Sequence, residues 1–398
     1  MIRQPRQLAI ALVASLAFLS ALHCGPPRPQ PVPVAPTPTP PTPPAPPAPL
    51  DGAPLDSGGQ PLLNVLPVLE TRPRVLAHRG VNLSGAEFGA VPGTVGRDYG
   101  YPTKTDVDLF VQRGITHVRL PFRHERLQRQ LKTELDAAEW DRLITIVTYM
   151  TERGLTVALE PHNSARFYDR VLTETEIGDF WGRVGRRLVL LPAVHPRVLP
   201  NLTNEPRDMT TETWLALAQA SIRELRRVGF PGRILVPGNG WTGAMHWTSS
   251  WYGRSNADVM VAVTDPAAVF EVHLYLDQDG SGGGKECVSE SVGVERLAGF
   301  VAWLKRHDRK GYVGEIGAPN TVTCARAVRN ALTFIESEPT YFLGWSWWSA
   351  GARWPIAYPL SVQPLAVDAG AGVGTLYADR PQFEWLRPFF ACRCALAP

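Results

Sequence analysis

The sequence carries little charge, and neither sign dominates. Charged residues make up 19% of its 398 positions, and the formal net charge at pH 7 is +3. Proteins that bind nucleic acid or anionic lipid through their overall field carry a strong positive excess, so we expect neither partner. The apolar run at residues 8–22 is shorter than the ~20 residues that cross a bilayer, and we predict no transmembrane helix.

Cysteine is scarce, and the motifs that bind metals or nucleotides are missing from the sequence. Of the five cysteines, Cys24 belongs to the N-terminal segment, and Cys287, Cys324, Cys392 and Cys394 allow three complete pairings. A Cys-x-Cys pair near the C-terminus with distant partners does not have zinc spacing. No glycine-rich phosphate loop follows the first predicted strand. We therefore predict no metal and no cofactor, and in an exported chain we favour disulfides.

The N-terminus has the pattern of a secretory signal. Arg3 and Arg6 precede the apolar run, which ends near small residues and Cys24. A basic segment followed by an apolar stretch of about 7–15 residues is typical of a signal peptide, which we place at residues 1–24. We therefore predict a secreted, extracellular protein. The alternative is a lipoprotein that is tethered to the cell envelope through an acylated Cys24.

Proline is abundant in one segment only. It occupies about every second position of residues 26–49, and such a stretch lacks backbone donors and apolar bulk, so it stays extended. We predict that residues 25–62 form a disordered spacer and that residues 63–398 form one folded domain.

Beyond the spacer, short apolar strands alternate with helices whose apolar residues recur at i, i+3 and i+4. The predicted strands are 75–83, 117–122, 155–159, 198–202, 234–237, 269–275, 312–316 and 342–347. The predicted helices are 105–113, 140–153, 174–190, 211–228, 292–307, 325–335 and 383–390, with no clear helix after the fifth strand. Eight such units, one of them weak, predict an α/β fold of the (β/α)8 TIM-barrel type. A doubly wound open sheet is the alternative.

Polar side chains interrupt the apolar strands where most of these strands end. They are Arg119, His162, Asn163, Asn204, Glu205, His273, Tyr275, Glu315, Trp347 and Trp348. Taken alone, a residue of this kind is more often a structural group with its hydrogen bonds made inside the fold than a functional group. The C-terminal strand ends of a TIM barrel meet on one face, which carries the active site, and buried polar groups must be paired. The whole set therefore predicts an active site on that face.

Two carboxylates within this set suit glycoside hydrolysis. The reaction needs one carboxylic acid for the leaving oxygen and a second carboxylate on the other side of the anomeric carbon. Glu205 and Glu315 follow strands four and seven, on roughly opposite sides of the barrel. We expect Glu205 to be the acid/base and Glu315 the nucleophile, because Arg119 and a protonatable His273 can hold Glu315 ionised.

The remaining polar and aromatic candidates suit the binding of a sugar. Asn204 can bond the 2-hydroxyl of the reacting sugar, and Tyr275 can donate to the nucleophile. Trp348 can form the stacking floor beneath that sugar, while Trp241 and Trp354 could serve neighbouring sugars.

Seven segments, in this order, resemble glycoside hydrolase family 5, in particular its endo-β-1,4-glucanases (cellulases). They are Arg79-Gly-Val-Asn82-Leu-Ser-Gly, Arg119-Leu-Pro-Phe122, His162-Asn163, Asn204-Glu205-Pro206, His273-Leu-Tyr275, Gly314-Glu315-Ile-Gly317 and Gly344-Trp-Ser-Trp-Trp348. The segments beginning at Gly238 and Tyr275 add to the match, which covers residues 75–390.

The resemblance implies the same two catalytic glutamates. It also implies a supporting ring of side chains around the reacting sugar, namely Arg119, His162, Asn204, His273, Tyr275 and Trp348. It further implies a disulfide between Cys287 and Cys324, and it gives no guidance on the two C-terminal cysteines. Arg207 and Ser164 depart from the family pattern, which often has His and Tyr there, and both positions flank the cleft.

We therefore predict a retaining endo-β-1,4-glucanase that acts on cellulose or a related β-glucan. The alternatives are a family 5 hydrolase of another β-glycan, such as β-mannan or xyloglucan, and a carbohydrate-binding pseudoenzyme. The expected partner is the polysaccharide substrate, and we expect a monomer.

Overall fold

The computed structural model describes residues 76–367 and 375–390. The predicted signal sequence and spacer (1–62) lie outside these residues, as do Cys24, Cys392 and Cys394. Within the described part of the chain, no helix is both long enough and apolar enough to cross a membrane.

Eight parallel strands form the centre of the fold. They are β1 (His78–Leu83), β2 (His117–Phe122), β3 (Thr156–Pro161), β4 (Val198–Pro200), β5 (Ile234–Pro237), β6 (Ala268–Tyr275), β7 (Lys310–Gly317) and β8 (Phe342–Ala350). Their hydrogen-bonded order is β4-β3-β2-β1-β8-β7-β6-β5. An isolated bridge between Asn201 and Leu235 joins the two ends, so the sheet closes into the predicted (β/α)8 barrel.

Seven helices of nine or more residues are found in the described part of the chain. They are α1 (Lys104–Gln112), α2 (Ala137–Glu152), α3 (Glu174–Val189), α4 (Thr211–Arg227), α5 (Val292–His307), α6 (Val322–Glu336) and α7 (Pro381–Phe390). Short helical turns occupy His124–Leu127, His195–Arg197, Ala244–His246, Asn256–Val259 and Met260–Ala262. Two small antiparallel pairs join Arg166–Phe167 to Arg170–Val171 and Leu365–Val367 to Leu376–Ala378. As predicted, no long helix follows β5.

Capping side chains set helix boundaries that apolar periodicity alone placed only approximately. Thr103 and Asp106 form a reciprocal capping box, which starts α1 one residue earlier than predicted. β4 ends at Pro200, two residues earlier than predicted, because the next two residues pair only locally, at the junction with β5.

The interior of the barrel is divided into an apolar layer and a polar layer. The apolar layer lies in the N-terminal parts of the strands and consists of Ala158, Leu199, Leu235, Val269, Tyr312 and Leu343. Buried charged side chains follow further along the same strands, among them Arg119, Glu160 and Glu315. Because buried charges must be paired, the polar layer forms a connected network directly beneath the open face.

Candidate active site

Glu205 and Glu315 lie close together at the C-terminal face of the barrel. Glu205 follows β4 and its side chain is 24% exposed, whereas Glu315 lies in β7 and is 3% exposed. Ligand atoms of Glu205, His273 and Glu315 all lie within 4.8 Å of one another. The fold therefore brings both predicted carboxylates into one site.

Glu315 is held by donors from two other strands. Arg119 Nη1 donates to its Oε1 at 2.9 Å, and the hydroxyl of Tyr275 donates to its Oε2. Arg119 is itself fixed by the side chains of Asn82 and Asn204, to which it donates at 3.0 and 2.9 Å. These contacts stabilise the ionised form of Glu315.

His273 forms its hydrogen bond with Glu205 and not with Glu315. Its Nδ1 forms a 2.9 Å hydrogen bond with Glu205 Oε1 and lies 3.4 Å from Glu315 Oε2. The backbone of Glu205 has a φ of +40°, a left-handed conformation that is costly for a non-glycine residue. That conformation accompanies the placement of the Glu205 carboxyl beside the imidazole, so His273 bonds directly to Glu205 and acts on Glu315 mainly through charge.

The pKa values of Glu205, Glu315 and His273 depend on one another. Burial and the charge of Glu205 raise the pKa of Glu315, against the opposing effects of His273 and Arg119. Burial is the largest single effect on Glu205 and acts to raise its pKa, but the hydrogen bond from His273 and the charges of His273, His162 and Arg119 together lower that pKa. Burial lowers the pKa of His273, and the charge of Glu315 and the bond to Glu205 outweigh it and raise the pKa to about 10. The two carboxylates thus favour the protonated form of His273.

His162 and Asn204 lie side by side at the rim of the site. Asn204 Nδ2 is 3.3 Å from His162 Nε2, and the other ring nitrogen of His162 is 2.9 Å from Glu160 Oε2. The imidazole also stacks on Trp348, with ring centroids 5.6 Å apart and planes inclined by 15°. Asn204 and His162 thus supply polar groups, and Trp348 supplies a flat aromatic surface, at the same part of the rim.

Asn163 has a different setting from these neighbours. Its Oδ1 accepts from Thr203 Oγ1 at 3.1 Å, and its Nδ2 donates to the carbonyl of Arg166. Both ends of the amide are engaged by protein, so in this structure Asn163 holds the loop after β3.

Three aromatic residues form a group on the β8 side of the site. Trp354 stacks on Tyr358 with centroids 3.8 Å apart and planes inclined by 9°, and it meets Trp348 edge-on at 6.1 Å. The Trp348 indole donates to the Tyr358 hydroxyl at 3.1 Å. Trp348 and Trp354, which the sequence analysis assigned to neighbouring sugars, therefore lie next to each other.

Trp241 separates two cavities that meet at Glu205. A cavity of about 340 Å³ is walled by Trp241, Trp251 and His246. A more polar cavity of about 450 Å³ on the other side includes Ser164 and Arg207 among its lining residues. The two positions that depart from the family pattern thus border one cavity beside the acid/base candidate.

The backbone of Trp241 is itself unusual. Gly240, Trp241 and Thr242 have φ values of +79°, +54° and +56°. Successive left-handed residues are rare outside glycine and are found where surrounding structure fixes them, often at functional sites. This turn places the Trp241 side chain between the two cavities.

Five residues of the site were missed by the sequence analysis. They are Glu160, Glu271, His246, Trp251 and Tyr358. The first two are fully buried in β3 and β6, and a glutamate inside an apolar strand is a signal that could have found them. Trp251 and Tyr358 lie in irregular loops and His246 ends a short helical turn, and none of these segments is long enough to show an apolar periodicity.

Cys287 and Cys324 form a disulfide. The pairing that the resemblance implied is therefore confirmed. It connects the loop after β6 to the first turn of α6.

Glu205, His273 and Glu315 are also the group whose geometry could accept a metal ion, among the residues that the structure describes. Each of the three side chains already has a protein partner. A site with two carboxylates and one protonated imidazole is suited to proton transfer without a metal.

Comparison with known proteins agrees with this geometry. Endo-beta-1,4-glucanase B of Emericella nidulans is 33% identical over 291 residues, 72% of this chain and 85% of the relative. The structure of an endo-beta-1,4-glucanase from Xanthomonas axonopodis pv. citri is 39% identical, with a TM-score of 0.72 and coverage of 79% of this chain and 98% of the other. A Pseudomonas stutzeri endoglucanase in complex with cellobiose is 30% identical, with a TM-score of 0.68 and coverage of 80% and 94%.

The sequence pattern of the family described as cellulase, glycosyl hydrolase family 5, matches residues 77–351. This range contains all eight barrel strands together with the two carboxylates and the donors around them. Given the barrel, the paired glutamates and relatives of this kind, the chain belongs to glycosyl hydrolase family 5, the cellulase family, and is a glycoside hydrolase.

Proposed function

We propose that this protein is an endo-β-1,4-glucanase that cleaves internal β-1,4-glucosidic bonds of cellulose or related β-glucans with retention of anomeric configuration. The proposal is carried by the proximity of Glu205 and Glu315, which have carboxyl oxygens within 4.8 Å of each other. Retaining enzymes hold the two carboxyls about 5–5.5 Å apart, and inverting enzymes about 6.5–9.5 Å. The names of the relatives support the glucan substrate.

In the first step, Glu205 donates a proton to the glycosidic oxygen while Glu315 attacks the anomeric carbon. The carbon–oxygen bond to the leaving sugar breaks, and a covalent glycosyl ester forms on Glu315. Arg119 and Tyr275 contact the oxygens of Glu315 and stabilise its charge before the attack and as it returns.

In the second step, Glu205 removes a proton from a water molecule that attacks the same carbon. The ester bond breaks, Glu315 leaves as a carboxylate, and Glu205 is again protonated. His273 is bonded to Glu205 and can accept or return the shared proton, so the acid form of Glu205 arises when the Nδ1 proton moves from His273 to the carboxyl.

The surrounding residues support binding of a glucan chain. We assign the 2-hydroxyl of the reacting sugar to Asn204 and the face of that sugar to Trp348. Trp354 lies beside Trp348 and would serve a neighbouring sugar on one side, while Trp241 would serve the sugar beyond the scissile bond, next to Glu205.

The first test is hydrolysis of several polysaccharides by the purified protein. We expect reducing ends from carboxymethylcellulose at a higher rate than from β-mannan or xyloglucan. Cleavage of mannan alone would contradict the glucanase assignment. Proton NMR of the first product should show the β-anomer, and an initial α-anomer would contradict retention.

The second test separates catalysis from binding. Glu315→Gln removes the proposed nucleophile, and we expect turnover to be lost while the affinity for cello-oligosaccharides is kept. Glu384→Gln is the matched control, because Glu384 lies on the outer helix α7 with its side chain 55% exposed. A wild-type protein that binds glucan without any turnover would instead support the carbohydrate-binding alternative.

We also propose that the protein is exported and acts as a monomer. The basic and apolar N-terminal pattern and the Cys287–Cys324 disulfide support an oxidising compartment. Mass spectrometry of the mature N-terminus would distinguish cleavage after the signal from acylation of Cys24, and light scattering would give the oligomeric state.

A further inference from the structure

Glu271 is a buried carboxylate that lies beneath the active site. It precedes His273 by two residues in β6, so both side chains point to the same face of the strand. Glu271 has no exposed surface, and it borders neither of the two cavities that meet at Glu205. It cannot touch a substrate, and any effect on the reaction must pass through its neighbours.

Glu271 contacts Arg119, which is bonded to Glu315, and His273, which is bonded to Glu205. Its Oε1 lies 3.1 Å from Arg119 Nε and 3.5 Å from His273 Nε2, and its Oε2 accepts from Asn201 Nδ2. A β-carbon on Gly314 would come within 1.8 Å of that Oε1. The Glu271 carboxylate therefore occupies space that is free only because residue 314, directly before Glu315, is a glycine without a side chain.

The two ring nitrogens of His273 face different carboxylates. Nδ1 is bonded to Glu205 at 2.9 Å, and Nε2 faces Glu271. Titratable or charged groups from seven of the eight strands, or from the loops after them, surround this cluster. Those within strands are Arg119, Glu160, Glu271, Tyr275, Tyr312 and Glu315, and those in the segments after strands are Glu87, His162, Glu205 and Tyr358. Glu205 and Glu315 approach His273 at Nδ1, whereas Glu271 approaches it at Nε2, at 3.5 Å.

We propose that Glu271 is a positioning residue that keeps a proton on Nε2 of His273, so that Nδ1 always shares its proton with Glu205. This inference rests on the proposed function, because it explains how Glu205 receives the proton that it gives to the leaving sugar. Which nitrogen of a histidine carries the proton is set by the partner of the other nitrogen.

The proton balance between His273 and Glu205 follows directly. In one form an imidazolium donates from Nδ1 to the Glu205 carboxylate. In the other form the Nδ1 proton has moved to Glu205, and neutral His273 keeps its Nε2 proton facing Glu271. Burial lowers the pKa of His273, and the carboxylates of Glu315, Glu205 and Glu271 together raise it to about 10. Without the Glu271 charge, His273 loses its proton at a lower pH and Glu205 is no longer supplied.

The test is Glu271→Gln, followed by two independent measurements. With ¹⁵N-labelled histidine, NMR titration should show that the pKa of His273 falls by about one unit or more, since charge pairs at this distance shift a pKa by about 1–3 units. In kinetics, kcat on carboxymethylcellulose should fall about 10²-fold, as for loss of general acid catalysis, with KM little changed. The alkaline limb of kcat/KM should move to lower pH by the same amount as the NMR pKa.

Glu160→Gln is the matched control, because Glu160 is equally buried and also pairs with Arg119, at 3.3 Å, but contacts His162 instead of His273. It should leave the pKa of His273 and the alkaline limb in place. Glu271→Asp keeps the charge and should restore most of both. An unchanged His273 titration in Glu271→Gln, or an equal shift in Glu160→Gln, would overturn the proposal. The NMR result needs no substrate, so it tests Glu271 even if the protein cleaves no glucan.

Discussion

Arg119 is the cation at the centre of the polar layer, and its replacement by methionine tests the charge balance of the site. Its guanidinium lies 2.9 Å from Glu315, 3.3 Å from Glu160 and 3.1 Å from Glu271, and its side chain has no exposed surface. Methionine has a similar length but no charge. The variant therefore leaves three carboxylates in the interior without their common partner.

The cost can be worked out from these contacts. Removal of one partner from a buried ion pair costs ~3–5 kcal/mol, so at neutral pH we expect the free energy of unfolding to fall by at least ~3 kcal/mol. Burial without a cation favours the neutral form of a carboxyl, so the folded variant can limit this loss by taking up protons at pH values where the glutamates of the unfolded chain, with a pKa of ~4.3, are ionised. The folded variant then binds more protons than the unfolded chain, so its stability falls as pH rises, by up to ~1.4 kcal/mol per pH unit for each such carboxyl. The deficit relative to wild type is largest at neutral pH and smallest near pH 4–5.

The measurement is urea denaturation of Arg119→Met and wild type near pH 5 and near pH 7. Arg223→Met is the control, since Arg223 pairs with Glu174 at 3.2 Å on the surface, where such a pair is worth ~0.2–1 kcal/mol. A loss at pH 7 no larger than that of the control would refute the account of the polar layer. A loss equal at both pH values would refute the role of proton uptake.

Three further perturbations address other parts of the molecule. The double variant Cys287→Ser/Cys324→Ser opens a loop with a sequence separation of 37. The chain-entropy relation gives a loss of ~4 kcal/mol in the free energy of unfolding, and a loss below ~1 kcal/mol in urea denaturation would contradict this value. Gly314→Ala places a β-carbon 1.8 Å from Glu271 Oε1, so we expect the free energy of unfolding to fall by ~1–3 kcal/mol and kcat to fall as well. Unchanged kinetics would be inconsistent with the close contact between residue 314 and the Glu271 carboxylate. Trp241→Ala removes a stacking surface worth ~0.5–1.5 kcal/mol, so kcat/KM for cellopentaose should fall by about two- to tenfold. An unchanged value would remove Trp241 from the substrate path.

The barrel could be predicted from the sequence, as could many of the residues that meet at its candidate site, because both predictions use local signals. Strands buried on both faces are short apolar runs, and the polar residue that ends each run marks the open face. Glu205 and Glu315 stand out for this reason, as does Arg119 in the second strand. The boundaries were less accurate, since capping at Thr103 and the short β4 depend on contacts that periodicity does not contain.

The polar layer was not predicted, because it depends on pairings between distant strands. Glu271 lies inside its strand, and Glu160 directly follows the predicted third strand at 155–159, where the search selected His162 and Asn163 further along the chain. Glu205, which bonds to His273, has a left-handed backbone, and a sequence does not reveal that conformation for a residue other than glycine. Trp251 lies in an irregular loop after β5, and only the folded chain brings it to the wall of the cavity beside Glu205.

The strands that carry the two proposed catalytic carboxyls are paired with their neighbours to unequal extents. β7 carries Glu315 and is paired with β6 and β8 over much of its length, whereas β4 has three residues, pairs with β3 and meets β5 at an isolated bridge. Under the proposed mechanism, Glu315 must reach the same carbon in both steps, and a stiff support keeps that distance constant. Glu205 serves two different oxygen atoms, first that of the leaving sugar and then that of water. The more compliant side of the barrel is therefore the side that carries the group whose target changes during the reaction.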